Sequence, residues 1–494
     1  LIHLALPLVG APRKIFHLPS PTRMTSEPRP SAGVPPFPDF ESALAWLRER
    51  TDFERGPTTR ITPHLVAMRA LAEELGHPEL ASPTLHVAGT KGKGSTCAFA
   101  AALLRRAGQR VGLYVSPHLS HLCERIAIDG RPITPATFAV HLGELARACA
   151  ARAEGELASF FDLMTLAGFL AFRAARVDAS VIEVGMGGRL DSTNVVLPEA
   201  AAITSISFDH MKVLGRSLPA IGREKAGIAK RDRTLVVALE RSHPAFAAIA
   251  AHAAEVGAPL RVLGEDFHWS FSDDHREVRV DTWRGRTLRA RLPMAVPFQA
   301  QDLAVALALL EAGAERGRLP DIAPWLDGAG EDLRVPGRFE LLGGEPPALL
   351  DGAHNDEAFV ALAAALRKNF PERRLVAVIG AARDKLHSGV FAPLAPHVAY
   401  AVATRAEDNP RATRPADLAA QLRADGIPSI AVARAPEAWR RAIELREELG
   451  SPPEDPILVT GSLYLVGDLR PALLAASPPP CSSSSKTSSS PTPS

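Results

Sequence analysis

The sequence predicts an α/β protein of two parallel-sheet domains. Three observations predict it. The 494 residues exceed one ordinary hydrophobic core. Apolar strand-like runs alternate with amphipathic helical stretches over most of the length, the pattern of parallel sheets covered by helices. Finally, the turn Gly89-Thr90-Lys91-Gly92-Lys93-Gly94-Ser95 lies between the apolar run 85–88 and the helical stretch 96–104. A strand, a glycine-rich turn and a helix in that order aim backbone N–H groups and the positive helix end at one point, which suits a polyphosphate.

Residues 1–39 read as a disordered lead-in, with Met24 as the expected start, because the apolar stretch 4–9 precedes the basic residues and holds a proline, the reverse of a secretory signal. The first domain is expected over 40–294. After the phosphate turn its buried strands are 111–115, 179–184 and 201–206, each ending at a polar cluster. In an open α/β sheet ligands sit beyond the carboxyl ends of the strands, so Ser116-Pro117-His118, Gly185-Met186-Gly187-Gly188-Arg189 and Ser207-Phe208-Asp209-His210 are expected to share one cleft with the phosphate turn. Residues 265–291 alternate with period two and read as a small β addition. The second domain is expected over 295–476, with strands at 348–350, 375–379, 399–403 and 457–460. The Ser/Pro tail 477–494 cannot bury enough apolar surface to order itself.

Hydrophobic content of 46% and charged content of 22% are those of a soluble globular protein. A formal net charge of +1 with no basic cluster argues against a nucleic-acid binder and points to small-molecule partners. No apolar run reaches membrane-spanning length. Four cysteines, none in a C-x-x-C pair, fit a reducing cytoplasm. In the turn, the glycines let the backbone curl around phosphate oxygens, Lys93 supplies a point charge, and Ser95 or Thr96 is placed for a phosphate-bound Mg²⁺; the expected ligand is ATP.

These strings, with Glu183-Val184-Gly185-Met186-Gly187-Gly188-Arg189-Leu190-Asp191-Ser192-Thr193-Asn194, Arg223-Glu224-Lys225-Ala226-Gly227-Ile228, Pro336-Gly337-Arg338-Phe339-Glu340, Asp351-Gly352-Ala353-His354-Asn355 and Gly461-Ser462-Leu463-Tyr464, resemble the folylpolyglutamate synthase/dihydrofolate synthase family of the Mur ligase superfamily. The likeness runs over about residues 40–470. It implies a P-loop domain of the Mur ligase central type followed by a Rossmann-like domain of the glutamate-ligase type. It also implies an ATP-dependent ligase that adds L-glutamate to dihydropteroate, to a folate γ-carboxylate, or to both; a monomer is expected. Joining a carboxylate to an amine requires activation, which the ATP γ-phosphoryl supplies as an acyl phosphate, and the gathered anions require cations around them.

The resemblance assigns metal contacts to Ser116, Glu183 and His210, with two Mg²⁺ ions expected. Taken alone, Ser116 reads as a turn residue and His210 as a loop or core histidine, whereas a carboxylate inside the run 181–184 is costly to bury unless it meets a cation. Lys93, Lys225 and His210 are the expected catalytic residues. Lys225 is either carbamylated, as its counterpart often is in the superfamily, or pairs directly with a phosphate or an acidic neighbour. Arg338, Asp351 and His354 are expected to reach ATP from the second domain. The pterin side falls on Phe160, Phe161, Asp162, Leu190, Asp191 and Ser192; the two phenylalanines either stack on the pterin or belong to the core.

Departures from the family pattern are Lys91 for an Asn, Asp302 for an Asn whose amide serves adenine, and Asp356 and Leu386 for Pro and Asp. A carboxylate at Asp302 lacks the amide donor. The rival readings are a Mur-type ligase of peptidoglycan precursors and a non-catalytic nucleotide-binding switch.

Overall fold

The computed structural model of the chain describes residues 37–477, except 51–63, 151–157, 273–275, 329, 331–332 and 408. Most of the expected lead-in and all but the first residue of the expected tail lie outside the described residues.

The first half runs α1 (Phe40–Arg48), α2 (His64–Glu74), β1 (Thr84–Ala88), α3 (Lys93–Arg106), β2 (Val111–Tyr114), β3 (Ile126–Ile128), β4 (Arg131–Pro132), α4 (Pro135–Ala150), α5 (Phe160–Ala175), β5 (Ala179–Glu183), β6 (Ala200–Ile203), α6 (Met211–Leu214), α7 (Leu218–Ala226), β7 (Thr234–Val237), α8 (Phe246–Val256) and β8 (Leu260–Val262). Eight strands form one sheet in the order β4-β3-β2-β5-β1-β6-β7-β8, parallel from β2 to β8, with β3 and β4 added antiparallel at one edge. β1, β5, β6 and β7 are buried along their whole length, as expected where helices cover both faces of a parallel sheet. The predicted strand 201–206 stops at Ile203, which frees 204–210 to wrap the phosphate turn.

The predicted β addition is a three-stranded antiparallel sheet of β9 (His268–Phe271), β10 (Glu277–Asp281) and β11 (Thr287–Arg291). Its inward residues Val278, Val280, Leu288 and Ala290 pack with α9 (Pro297–Ala314). The fully buried Glu311 of α9 accepts a hydrogen bond from Nε of Arg286 at 2.8 Å and one from Thr282 at 3.3 Å, which locks that sheet onto the helix. α9 is apolar on nearly every face because it is covered twice, by this sheet and by α3, β6 and β7. α9 and the segment through Val335, which follow the expected junction at 294–295, share a hydrophobic core with the first sheet.

The second domain holds β12 (Glu340–Leu342), β13 (Ala348–Leu350), α10 (Asp356–Asn369), β14 (Leu375–Gly380), β15 (Val398–Thr404), α11 (Pro415–Ala424), β16 (Ser429–Ala431), α12 (Ala435–Glu448), β17 (Ile457–Thr460) and α13 (Leu463–Ala476). Its sheet has the order β12-β13-β17-β14-β15-β16, parallel except for β12. Arg470 on α13 grips Glu340 through both carboxylate oxygens at 2.7 and 2.8 Å, and Glu340 also accepts from the Gly337 N–H at 2.8 Å. The two domains meet where Leu119, just past Ser116, packs on Gly337 and on Gly467 of α13. No helix among the described residues is long and apolar enough to cross a membrane.

Candidate active site

β1 delivers the chain into the phosphate turn, and the turn is held from behind. Ser205 accepts the Thr90 N–H on its carbonyl at 2.8 Å and the Lys91 N–H on its hydroxyl at 2.9 Å, while the Thr204 hydroxyl donates to the Lys91 carbonyl at 2.6 Å. Glycine is required at two points. Gly89, at φ 156°, lies against the Thr204 side chain, and Gly92, at φ 81°, lies against the Asp302 carboxylate, so a Cβ at either would collide. Gly92 caps α3, whose first-turn N–H groups and dipole face the loop over a helix of 14 residues.

Glu183 ends β5 and is buried. Its Oε2 accepts the Ser116 N–H at 2.9 Å and lies 3.4 Å from where a Cβ on Gly94 would stand, so the expected pair and the phosphate turn do share one point. Burial raises the Glu183 pKa, against the pull of Lys93, the Ser116 N–H, Arg338 and Arg125. Among the described residues no three His, Cys, Asp or Glu side chains gather as a metal cage. The oxygen donors Glu183 and Ser116 beside a phosphate loop instead fit Mg²⁺, which keeps several waters and needs few protein ligands. His210, the third expected ligand, takes a left-handed φ of 45° ahead of α6, with its Nε2 3.7 Å from Asp209 and its side chain about half exposed.

Lys225 lies near the end of α7, buried, and its Nζ donates to the Gly89 carbonyl at 2.7 Å. Burial and the charge of Lys93 push its pKa down to about 7, while Asp209 and Asp191 act the other way. Near neutrality this amine is therefore a nucleophile as much as a cation.

Arg338 is the cation that reaches in from beyond the junction. Its charge acts on Glu183, Asp302 and Asp351 together, and Gln299 of α9 donates to its backbone carbonyl at 2.5 Å. Asp351 follows β13 directly and accepts the N–H groups of Phe339 and Ala353, each at 2.9 Å, which fixes the Arg338 turn against the His354 loop. His354 places Nδ1 2.8 Å from the Gly352 carbonyl, so that nitrogen carries the proton. The Asp302 carboxylate stands against Gly92 and hydrogen-bonds Ser95, and burial pushes its pKa up to about 8. It belongs to the phosphate-loop wall.

Several of the expected site residues are engaged within the protein. Lys91 turns away from the loop interior and pairs with Glu357 of α10. Asp162 is fully buried, capping α5 through the Ser159 N–H at 2.9 Å and accepting from the Ser192 hydroxyl at 2.5 Å, so it braces the start of α5 against the segment that bears Ser192. Asp191 is likewise spent on the Met186 N–H at 2.8 Å and the Thr193 N–H at 3.0 Å. Ser192 is buried with them, and Leu190 is half-buried. The two phenylalanines divide: Phe160 is in the core, whereas Phe161 is half-buried over Gly185 and meets Tyr114 edge-on at 6.2 Å.

Residues the sequence left unmarked also stand here. Arg125 is buried, donates from Nε to His118 at 3.1 Å, and holds its guanidinium 5.8 Å from the Phe160 ring centre. His86 is buried inside β1, bonded to Thr193 at 2.9 Å, with its pKa pushed down to about 3 by burial and Lys230. No local spacing distinguishes either from a surface arginine or a core histidine.

A glycine-rich loop opening a helix, a buried carboxylate at the next strand end and an arginine from a second parallel-sheet domain define a two-domain nucleotide-site protein of the Mur ligase class. The Mur ligase middle domain matches residues 87–310 and the Mur ligase glutamate ligase domain matches 337–463. The dihydrofolate synthase/folylpolyglutamate synthase of Bacillus subtilis is 32% identical over 460 residues, covering 88% of this chain and 100% of the relative. The structure of Escherichia coli FolC in complex with DHPP and ADP superposes with a TM-score of 0.72 at 30% identity, over 89% of this chain and 99% of that one. The Yersinia pestis bifunctional folylpolyglutamate synthase/dihydrofolate synthase, complexed with AMPPNP and Mn ion, gives 0.70 at 31% identity, over 88% and 98%. A probable bifunctional folylpolyglutamate synthase/dihydropteroate synthase of Halobacterium salinarum is 34% identical over 449 residues, but the chain spans about half of that relative's length, 51%. The chain belongs to the folylpolyglutamate synthase/dihydrofolate synthase family.

Proposed function

We propose that this protein is an ATP-dependent ligase that joins L-glutamate to dihydropteroate and to the γ-carboxylate of folates, releasing ADP and phosphate. The observation that carries this reading is the contact of Glu183 with the Ser116 N–H beside Gly94 of the phosphate loop. The ADP, DHPP, AMPPNP and Mn ion named for the relatives support the same ligand classes here.

The α3 N-terminus and Lys93 bind the phosphate chain, and Arg338 closes on it from the second domain, so charge gathering on the transferring phosphoryl is met from both sides. Glu183 and Ser116 would hold Mg²⁺, which would supply positive charge against the phosphate oxygens. Phe161, half-buried over Gly185, offers a ring face to a pterin. Lys225, with a pKa near 7, is suited to carbamylation, which converts it to an anion able to hold a second metal ion while its nitrogen keeps one N–H for the Gly89 carbonyl.

The test is ADP release by purified protein with ATP, Mg²⁺ and glutamate, offered dihydropteroate, tetrahydrofolate or a muramyl peptide in turn. Pteroate- or folate-dependent release that disappears in Glu183→Gln, with the fold retained, supports the reading. Release with the muramyl peptide alone, or with none of the three, removes it.

A further inference from the structure

The two lysines of the phosphate loop point in different directions. Lys93 acts on Glu183 inside the cleft, whereas the Lys91 ammonium pairs with the Glu357 carboxylate across the junction, 266 residues away in sequence. Both ends of this pair are mounted on fixed backbone. The Lys91 peptide is pinned by three hydrogen bonds: its N–H to the Ser205 hydroxyl at 2.9 Å, and its carbonyl from the Thr204 and Ser205 hydroxyls at 2.6 and 3.0 Å. Glu357 lies in the first turn of α10, which Asn355 caps through the Ala358 N–H at 2.9 Å. That turn follows directly on the loop bearing Asp351 and His354. Its other acid, Asp356, pairs with His387 of its own domain at 3.0 Å, so the two acids of this turn are divided between the domains.

We infer that Lys91 and Glu357 form a latch that positions the His354 loop over the phosphate loop, and that Lys91 acts as a positioning residue for closure. The inference rests on the proposed ligase reading for its consequence in turnover but not for the latch itself. Lys91 and Glu357 are 47% and 76% exposed, so the pair is weak and screened by salt, as a contact made and broken in each cycle must be. Closure keeps water from an acyl phosphate, so a loosened latch lets water take its place as acceptor: the acyl phosphate is hydrolysed to the free carboxylate and phosphate, and ADP forms without glutamate joined.

The experiment uses the full chain with Cys481→Ser and spin labels on the exposed residues Ser242 and Ala420, one in each domain. Distance distributions are recorded at low and high salt for the parent, Glu357→Gln, Lys91→Met and the double variant. The expected result is a narrow distance at low salt that broadens with salt, with each single variant lowering the closed population about two- to five-fold. The double variant should be no worse than either single one, the signature of coupled partners. Glu357→Gln should also raise the ratio of ADP released to glutamate joined above one. Distances insensitive to both single variants, or single effects that simply add, overturn the latch. A responding distance in a parent that turns over no substrate keeps the latch and removes the ligase reading.

Discussion

The ammonium of Lys225 donates to the carbonyl of Gly89 at 2.7 Å, so the end of α7 is fastened to the first residue of the phosphate loop. This bond joins the loop's shape to the protonation of a buried amine whose pKa is pushed down to about 7.

Lys225 should therefore show in both activity and stability. Its pKa falls on folding, so the native state sheds the proton as pH rises through about 7 while the unfolded chain keeps it to about 10. This residue then makes the protein more stable as pH rises across that window. Chemical denaturation between pH 6 and 9 checks it: Lys225→Met loses that part of the slope. Enzyme stripped of carbon dioxide should regain turnover on adding bicarbonate, more at pH 8 than at pH 6, because only the neutral amine is carbamylated.

Asp302 predicts the opposite dependence for nucleotide binding. Above about pH 8 its proton leaves and an anion stands beside Gly92 and Ser95, so nucleotide affinity should fall. In Asp302→Asn this alkaline loss should vanish while affinity at pH 7 is kept. Fluorescent-nucleotide titration from pH 6.5 to 9.5 reads both.

Gly92→Ala should lower nucleotide affinity at least ten-fold, since the left-handed turn costs about 1–2 kcal/mol for an L-residue and the new methyl meets the Asp302 carboxylate. Gly108→Ala is the control: it has the same φ of 81° with nothing within 4 Å, so it should lose stability without losing affinity.

Arg470→Ala leaves Glu340 buried with its guanidinium gone, a change expected to cost about 3–5 kcal/mol. Denaturant unfolding followed through Trp439 of α12 should show it in the second domain. Replacing both partners with Met and Leu should recover much of the loss.

What could be read from the chain follows from the range over which each feature is encoded. The phosphate turn, the strands at 111–114, 179–183 and 457–460, and the meeting of Ser116 with Glu183 are carried by short strings whose strand-end positions imply one cleft. The allegiance of α9 was not legible, because a helix apolar on all faces announces burial but not which sheet buries it. The bonds of Asp162 to Ser159 and Ser192 are set half locally and half by a residue 30 positions on, so its acid beside two phenylalanines carries no local sign of them. The Lys91 partner lay beyond any local pattern, in the other domain.

Leu119 sits three residues after Ser116 and is wedged between domains, against Gly337 and Gly467. A methyl group added at position 467, on the far domain, would strike the Leu119 backbone and be felt at the candidate metal loop without touching any residue of the cleft. The fit of α13 thus constrains the loop that bears Ser116 through a backbone contact alone.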